Sequence, residues 1–207
     1  MRFGRHTAIL ADGSLASLIA CAMLKESLTA SEASPDSAGL IIALPSVPAS
    51  AAMIDAARLQ AQAYDLPFAE LPPDRSTDLT PGEAESRALL AAVHAAARAR
   101  CDAIIWPVSA ARPDGISLDR VSACADRALL VGRLVAIDAT EHGLPGLTVT
   151  IPFIDLSDRQ IADLAVDMAV PIETCWWNRF GGTGAAEERK RWMAALRAAG
   201  RSEPARA

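Results

Sequence analysis

Apolar positions along this chain fall into two patterns. Short strand-like apolar runs lie at Ala8 to Ala11, Leu40 to Leu44, Phe68 to Leu71, Asp102 to Val108 and Leu147 to Phe153, of which Leu40 to Leu44 is continuous and Leu147 to Phe153 alternates before its apolar end. Bounded by polar residues, Gly or Pro, such runs suit strands buried on both faces of a parallel sheet. Between them lie longer stretches with helical spacing. The first, Ser14 to Ser27, places Leu15, Leu18, Ile19, Ala22 and Met23 on one face. Ala51 to Tyr64 follows Ser50, a residue able to cap it. Pro81 to Arg100 opens with Thr80-Pro81 and Glu83, the residue types of a capping box with Pro at the first helical position. Leu118 to Asp138 and Ser157 to Met168 complete the alternation. Cys175 to Gly184 reads as irregular, and Ala185 to Ala199 as a charged terminal helix.

Five strand–helix alternations predict an α/β fold: a five-stranded, mostly parallel sheet with helices on both faces and a helical C-terminal extension. The expected division is an α/β unit over residues 1–172 and a tail with one helix over residues 173–207, without internal repeats. Ligands of such sheets bind beyond the carboxyl ends of the strands, where the strand order reverses. The expected rim is therefore Asp12 to Ser17, Pro45 to Ser50, Leu71 to Thr80, Ser109 to Gly115 and Phe153 to Ser157. At the first of these, Asp12-Gly13-Ser14 joins strand to helix, and a helix amino terminus offers N–H groups and a positive dipole end to an anion. The simpler alternative is a plain connection with Asp12 as N-cap.

Composition narrows the classes. The chain has 207 residues, 51% hydrophobic and 22% charged, which is globular. A net charge of -5 gives no general reason to bind nucleic acid or an anionic membrane. No apolar run reaches the length of a membrane span, and the amino terminus does not read as a signal peptide, so a cytoplasmic protein is expected. Cys21, Cys101, Cys124 and Cys175 are far apart and form no local zinc motif. Cys21 falls on an apolar helix face and reads as a small core residue. The apolar positions of Leu118 to Asp138 occupy more than one face, which points to a homodimer contact.

Three stretches carry a family resemblance. Asp12-Gly13-Ser14-Leu15-Ala16-Ser17 resembles the PP-loop of ATP pyrophosphatases, Ser-Gly-Gly-x-Asp-Ser, at the same place after the first strand. Cys101-Asp102-Ala103-Ile104-Ile105-Trp106 resembles a strand that begins Ala-Asp-Ala-Ile in one branch of that superfamily. Ile151-Pro152-Phe153-Ile154-Asp155-Leu156-Ser157-Asp158-Arg159-Gln160-Ile161, continuing through Ala169-Val170-Pro171-Ile172-Glu173-Thr174-Cys175-Trp176-Trp177, is similar to a run of the 7-cyano-7-deazaguanine synthases, which make the queuosine precursor. The resemblance implies an adenine nucleotide alpha hydrolase-like (HUP) fold. It also implies a reaction in which ATP and Mg²⁺ activate a carboxylate for ammonia addition.

The departures from that pattern sit at the chemistry. Only Gly13 and Ser17 keep their PP-loop residue types; Asp12 and Ser14 replace a serine and a glycine, and Ala16 replaces the aspartate. Asp158 stands at a lysine, and Glu188-Arg189-Lys190 where the family has an arginine-bearing terminal helix. Trp177, Phe180, Thr183 and Ala186 fall at the four zinc cysteines, so zinc is expected to be absent and the tail held by aromatic packing. Losing a metal-binding carboxylate and a lysine while gaining two acids removes neutralisation that adenylyl transfer depends on.

Three readings follow: a catalytically degenerate PP-loop protein that keeps a nucleotide or base-like pocket, an active ATP-dependent carbon–nitrogen ligase with a rearranged site, or an unrelated α/β protein. In the active case the phosphate candidates are Gly13, Ser14 and Ser17, with Arg112 or Arg120 as charge clamps and ATP and Mg²⁺ as cofactors; Asp12 joins the nucleotide-facing set. The expected partner is a small nucleotide or purine-like ligand. Trp176-Trp177 suits stacking on a base or sealing the tail, and Glu188 to Arg191 reads as a solvated helix face. Asp155 reads as a turn residue.

Overall fold

The computed structural model describes residues 5–30, 37–44, 51–72, 78–112, 115–141, 143, 147–180 and 184–200. The rim segment Pro45 to Ser50, parts of Leu71 to Thr80 and of Ser109 to Gly115, and Thr183 lie outside the described residues.

A parallel five-stranded sheet forms the centre. In chain order its strands are β1 (His6–Ala11), β2 (Ala38–Ala43), β3 (Phe68–Ala69), β4 (Ala103–Ile105) and β7 (Thr148–Thr150), arranged β3-β2-β1-β4-β7. β1 is the hub: Ile9 is paired with Ile41 on one side and Ile105 on the other. The order reverses between β1 and β4, so the switch point lies at their carboxyl ends. A short antiparallel hairpin, β5 (Ala111–Arg112) with β6 (Gly115–Ile116), stands apart from the sheet. The fold class expected from the sequence is the one observed.

Alternation along β1 divides the core. Ala8 and Leu10 face a layer built from α3 (Pro81–Arg98) and α4 (Leu118–Glu141). Ile9 and Ala11 face α1 (Leu15–Thr29), α2 (Ala51–Ala63) and α5 (Asp158–Asp167). Trp177 from the short helix α6 (Trp176–Arg179) and Trp192 and Leu196 from α7 (Ala185–Ala198) join that second cluster, and α7 packs on α5. α1 is buried at every residue from Leu15 to Ala22. Sequence spacing predicts a single apolar face for it; α2, α5 and the sheet cover the others, and Ala16, Ala20 and Ala22 let them approach.

Helix ends are set by local chemistry. Thr80 and Glu83 form the expected capping box, and Ser157 with Gln160 forms a second one before α5. α2, α3 and α5 end in left-handed residues that are not glycine, Asp65, Arg100 and Ala169. At α5, Val170 N–H donates to Ala165 O at 3.1 Å and Ala169 N–H to Val166 O at 3.0 Å, the paired bonds of a Schellman motif.

The structure departs from the sequence expectations in further places, and β4 is limited to Ala103–Ile105 where the sequence predicts Asp102 to Val108. β7 covers only Thr148–Thr150, because residues 152–155 turn away from the sheet. β5 and β6 add a hairpin where the periodicity predicts only a loop. Cys175 to Gly184 is not wholly irregular: a 3-10 turn, Ile172–Thr174, leads into α6. Asp12 is not the cap of α1; Ser14 is, its hydroxyl accepting from Ser17 N–H. Cys21 is a fully buried core residue, and burial pushes its thiol up to about 12. No helix of the described residues is long and apolar enough to cross a membrane.

Candidate functional site

A cavity of about 330 Å³ opens at the switch point. Leu10, Asp12, Ser14 and Ala16 bring the β1–α1 turn to it, and residues 106–109 the segment after β4. Met53 of α2, Glu85 and Ala88 of α3 and Arg120 of α4 add side walls. Trp176, Trp177, Glu188, Arg191 and Trp192 close it from the carboxyl-terminal helices.

The turn that would cradle a phosphate is occupied by its own residues. Ser14 N–H donates to Asp12 Oδ1 at 2.9 Å, and Ser17 N–H to Ser14 Oγ at 3.3 Å. The Asp12 carboxylate thus stands where an anion would seek a donor, with a negative charge beside the amino terminus of α1. Gly13 has φ +74° and packs against α2. Its carbonyl accepts the Trp176 N–H at 3.1 Å, which ties the turn to α6.

The candidate residues separate accordingly. Asp12 and Ser14 line the cavity, whereas Gly13, Ser17 and Arg112 do not. Ser17 is fully buried, its hydroxyl 2.7 Å from Gln60 Oε1 and 3.0 Å from Ser14 O, and Gln60 Nε2 donates to the same carbonyl at 3.0 Å. Arg112 is exposed on the β5–β6 hairpin. Arg120 does reach the cavity. Asp155 is exposed in the turn after β7.

Both lining arginines are already neutralised. Arg120 grips Glu85 through both terminal nitrogens, Nη1 at 2.7 Å, and Arg127 Nη1 approaches the same carboxylate at 3.2 Å. Arg191 donates to Asp158 through Nε at 2.6 Å and Nη2 at 2.5 Å, to Glu188 through Nη1 at 3.1 Å and to the Ala111 carbonyl at 2.9 Å. These charge-assisted bonds hold both guanidinium groups above their ordinary pKa. Asp158, where the resembled family has a lysine, is therefore partnered by Arg191 across 33 residues of sequence. Glu188 to Arg191 is accordingly not a uniformly solvated face: Arg189 and Lys190 are exposed, but Arg191 is half-buried and bonded inward.

The remaining lining is aromatic. The chain contains four tryptophans, and all four, Trp106, Trp176, Trp177 and Trp192, border this one cavity. The Arg191 guanidinium lies 4.9 Å from the Trp192 ring centre. Trp177, at the first zinc-cysteine position, is 2% exposed and belongs to the core cluster around α1. Its indole Nε1 is buried with no hydrogen-bond partner among the described residues. Phe180 is half-buried and Ala186 exposed. No group of three His, Cys, Asp or Glu side chains converges on a metal-sized point among the described residues.

ATP with Mg²⁺ does not fit the lining formed by the described residues. Among them, three carboxylates, Asp12, Glu85 and Glu188, line the cavity against two guanidinium groups, and each of those is bound to an acid. A triphosphate would have to displace carboxylates from both arginines and from Ser14 N–H.

The fold is similar to that of the U34-tRNA thiolase NcsA from Methanococcus maripaludis, solved with its [4Fe-4S] cluster, with a TM-score of 0.51 and 13% identity over 96% of this chain and 72% of that one. At that identity the likeness is one of fold. No protein-family model matches the sequence, and no curated protein matches it.

Proposed function

We propose that this chain is a PP-loop-type protein that no longer carries out ATP-dependent adenylation and instead binds a flat, base-like ligand without phosphate charge in the cavity at the β1–β4 switch point. The observation that carries the reading is the gathering of all four tryptophans around a cavity whose arginines are already paired with acids. Aromatic walls bury a planar heterocycle well, and an acidic, internally neutralised rim disfavours a polyphosphate. The resemblance to 7-cyano-7-deazaguanine synthases narrows the ligand class to purines and deazapurines. An active ligase is the weaker reading, because it requires Arg120 and Arg191 to exchange their carboxylates for phosphate.

Because every tryptophan borders the cavity, intrinsic fluorescence reports its occupancy. Titration with 7-deazaguanine-type bases should give saturable quenching, weakened at least tenfold in Trp176→Ala. Absence of any saturable change over a panel of purine and deazapurine bases would overturn the reading.

A further inference from the structure

We infer that the outer face of α4 is a self-association surface, on which a second copy of this chain packs antiparallel about a two-fold axis passing between Leu129 and Leu130. α4 spans 24 residues, about 36 Å. Its inner face, with Cys124, Ala128, Val131, Val135 and Ala139, is buried. Its outer side carries Leu118, Leu129, Leu130, Leu134 and Ile137, which are 46–78% exposed. Among the described residues, the only other exposed large hydrophobic residue is Ile116, two positions before the helix starts. Exposed apolar residues on a monomer are usually scattered; their concentration on one long helix marks an interface.

Charge selects the partner and its direction. Asp126 and Arg133 are both exposed, two helical turns apart, and bracket Leu130 on the same face. Neither has an ion-pair partner among the described residues. In a parallel pair of α4 helices in register, Asp126 would meet Asp126 and Arg133 would meet Arg133, which is repulsive. In an antiparallel pair with the axis between Leu129 and Leu130, Asp126 of each copy faces Arg133 of the other. The same register sets Ile137 opposite Ser122, large against small, with the Leu129–Leu130 pairs at the centre. A surface that complements itself under a two-fold operation is what an isologous dimer requires.

The inference does not rest on the ligand reading, since α4 reaches the cavity through Arg120 and the proposed contact lies on the opposite, outer side. Sedimentation equilibrium of the full chain at tens of micromolar should give twice the chain mass of 21.7 kDa. Leu130→Glu should give the monomer mass with an unchanged far-ultraviolet spectrum. Arg133→Asp should weaken the dimer at least tenfold, and the double variant Asp126→Arg/Arg133→Asp should restore it. A monomeric wild type, or a double variant no tighter than Arg133→Asp, would overturn the inference.

Discussion

A Cβ added at Gly13 would lie 2.6 Å from the Ala56 Cβ and 2.7 Å from the Met53 carbonyl oxygen, on a backbone already at φ +74°. Neither neighbour is a flexible chain end. The glycine that matches the PP-loop pattern is thus required by the approach of α2, whatever ligand the cavity takes. Gly13→Ala is expected to cost about 2–4 kcal/mol, combining left-handed strain with overpacking; urea unfolding measures it. Ser17, the other matching residue, is also explained from inside the fold. Its hydroxyl and the fully buried Gln60 side chain satisfy one another. Ser17→Ala alone should destabilise by about 1–3 kcal/mol, because Gln60 Oε1 loses its donor, and Ser17→Ala/Gln60→Leu should recover part of that. A double variant that is worse than the sum of its parts would contradict this assignment. The residue types at 13 and 17 were legible in the sequence as a motif. Their reasons were not, because the contacts that explain them come from α2, more than 35 residues later.

At the scale of elements, the strands and long helices follow the periodicity closely, since buried parallel strands and alanine-rich helices leave little ambiguity. What escaped was short or long-range. β5 and β6 are two residues each, and α6 is four, below any periodic signal. Helix ends at Asp65, Arg100 and Ala169 lack the glycine that usually marks such a turn. The pairing of Asp158 at the start of α5 with Arg191 in α7 joins an acid that the sequence marks only as standing at a lysine position with an arginine that reads as part of a solvated helix face. Asp158→Lys, which restores the charge the resembled family has there, should face Arg191 with a like charge and strip it of two bonds. It is expected to lower stability by about 1–3 kcal/mol. Arg191→Glu in the same background should return most of that loss, with thermal unfolding as the readout.

For the whole molecule, the fold places its cavity where an open parallel sheet offers one, and the side chains around it set what it can hold. The α/β architecture was readable from the order of elements, and the cavity lies at the strand ends that this order marks. The wall formed by Trp176, Trp177, Arg191 and Trp192 was not, because it depends on α6 and α7 folding back over the β1–α1 turn, a tertiary choice tied down by the Trp176 N–H bond to Gly13. That closure gives the cavity one consistent lining, with aromatic walls and arginines paired with acids. The most direct test is calorimetric titration of the purified protein with a matched series: free base, nucleoside, monophosphate, and ATP with Mg²⁺. The account predicts that the free purine or deazapurine binds best, that affinity falls as phosphates are added, and that ATP with Mg²⁺ gives neither heat nor pyrophosphate. ATP with Mg²⁺ binding more tightly than the free base, with pyrophosphate released on adding a carboxylate, would contradict it.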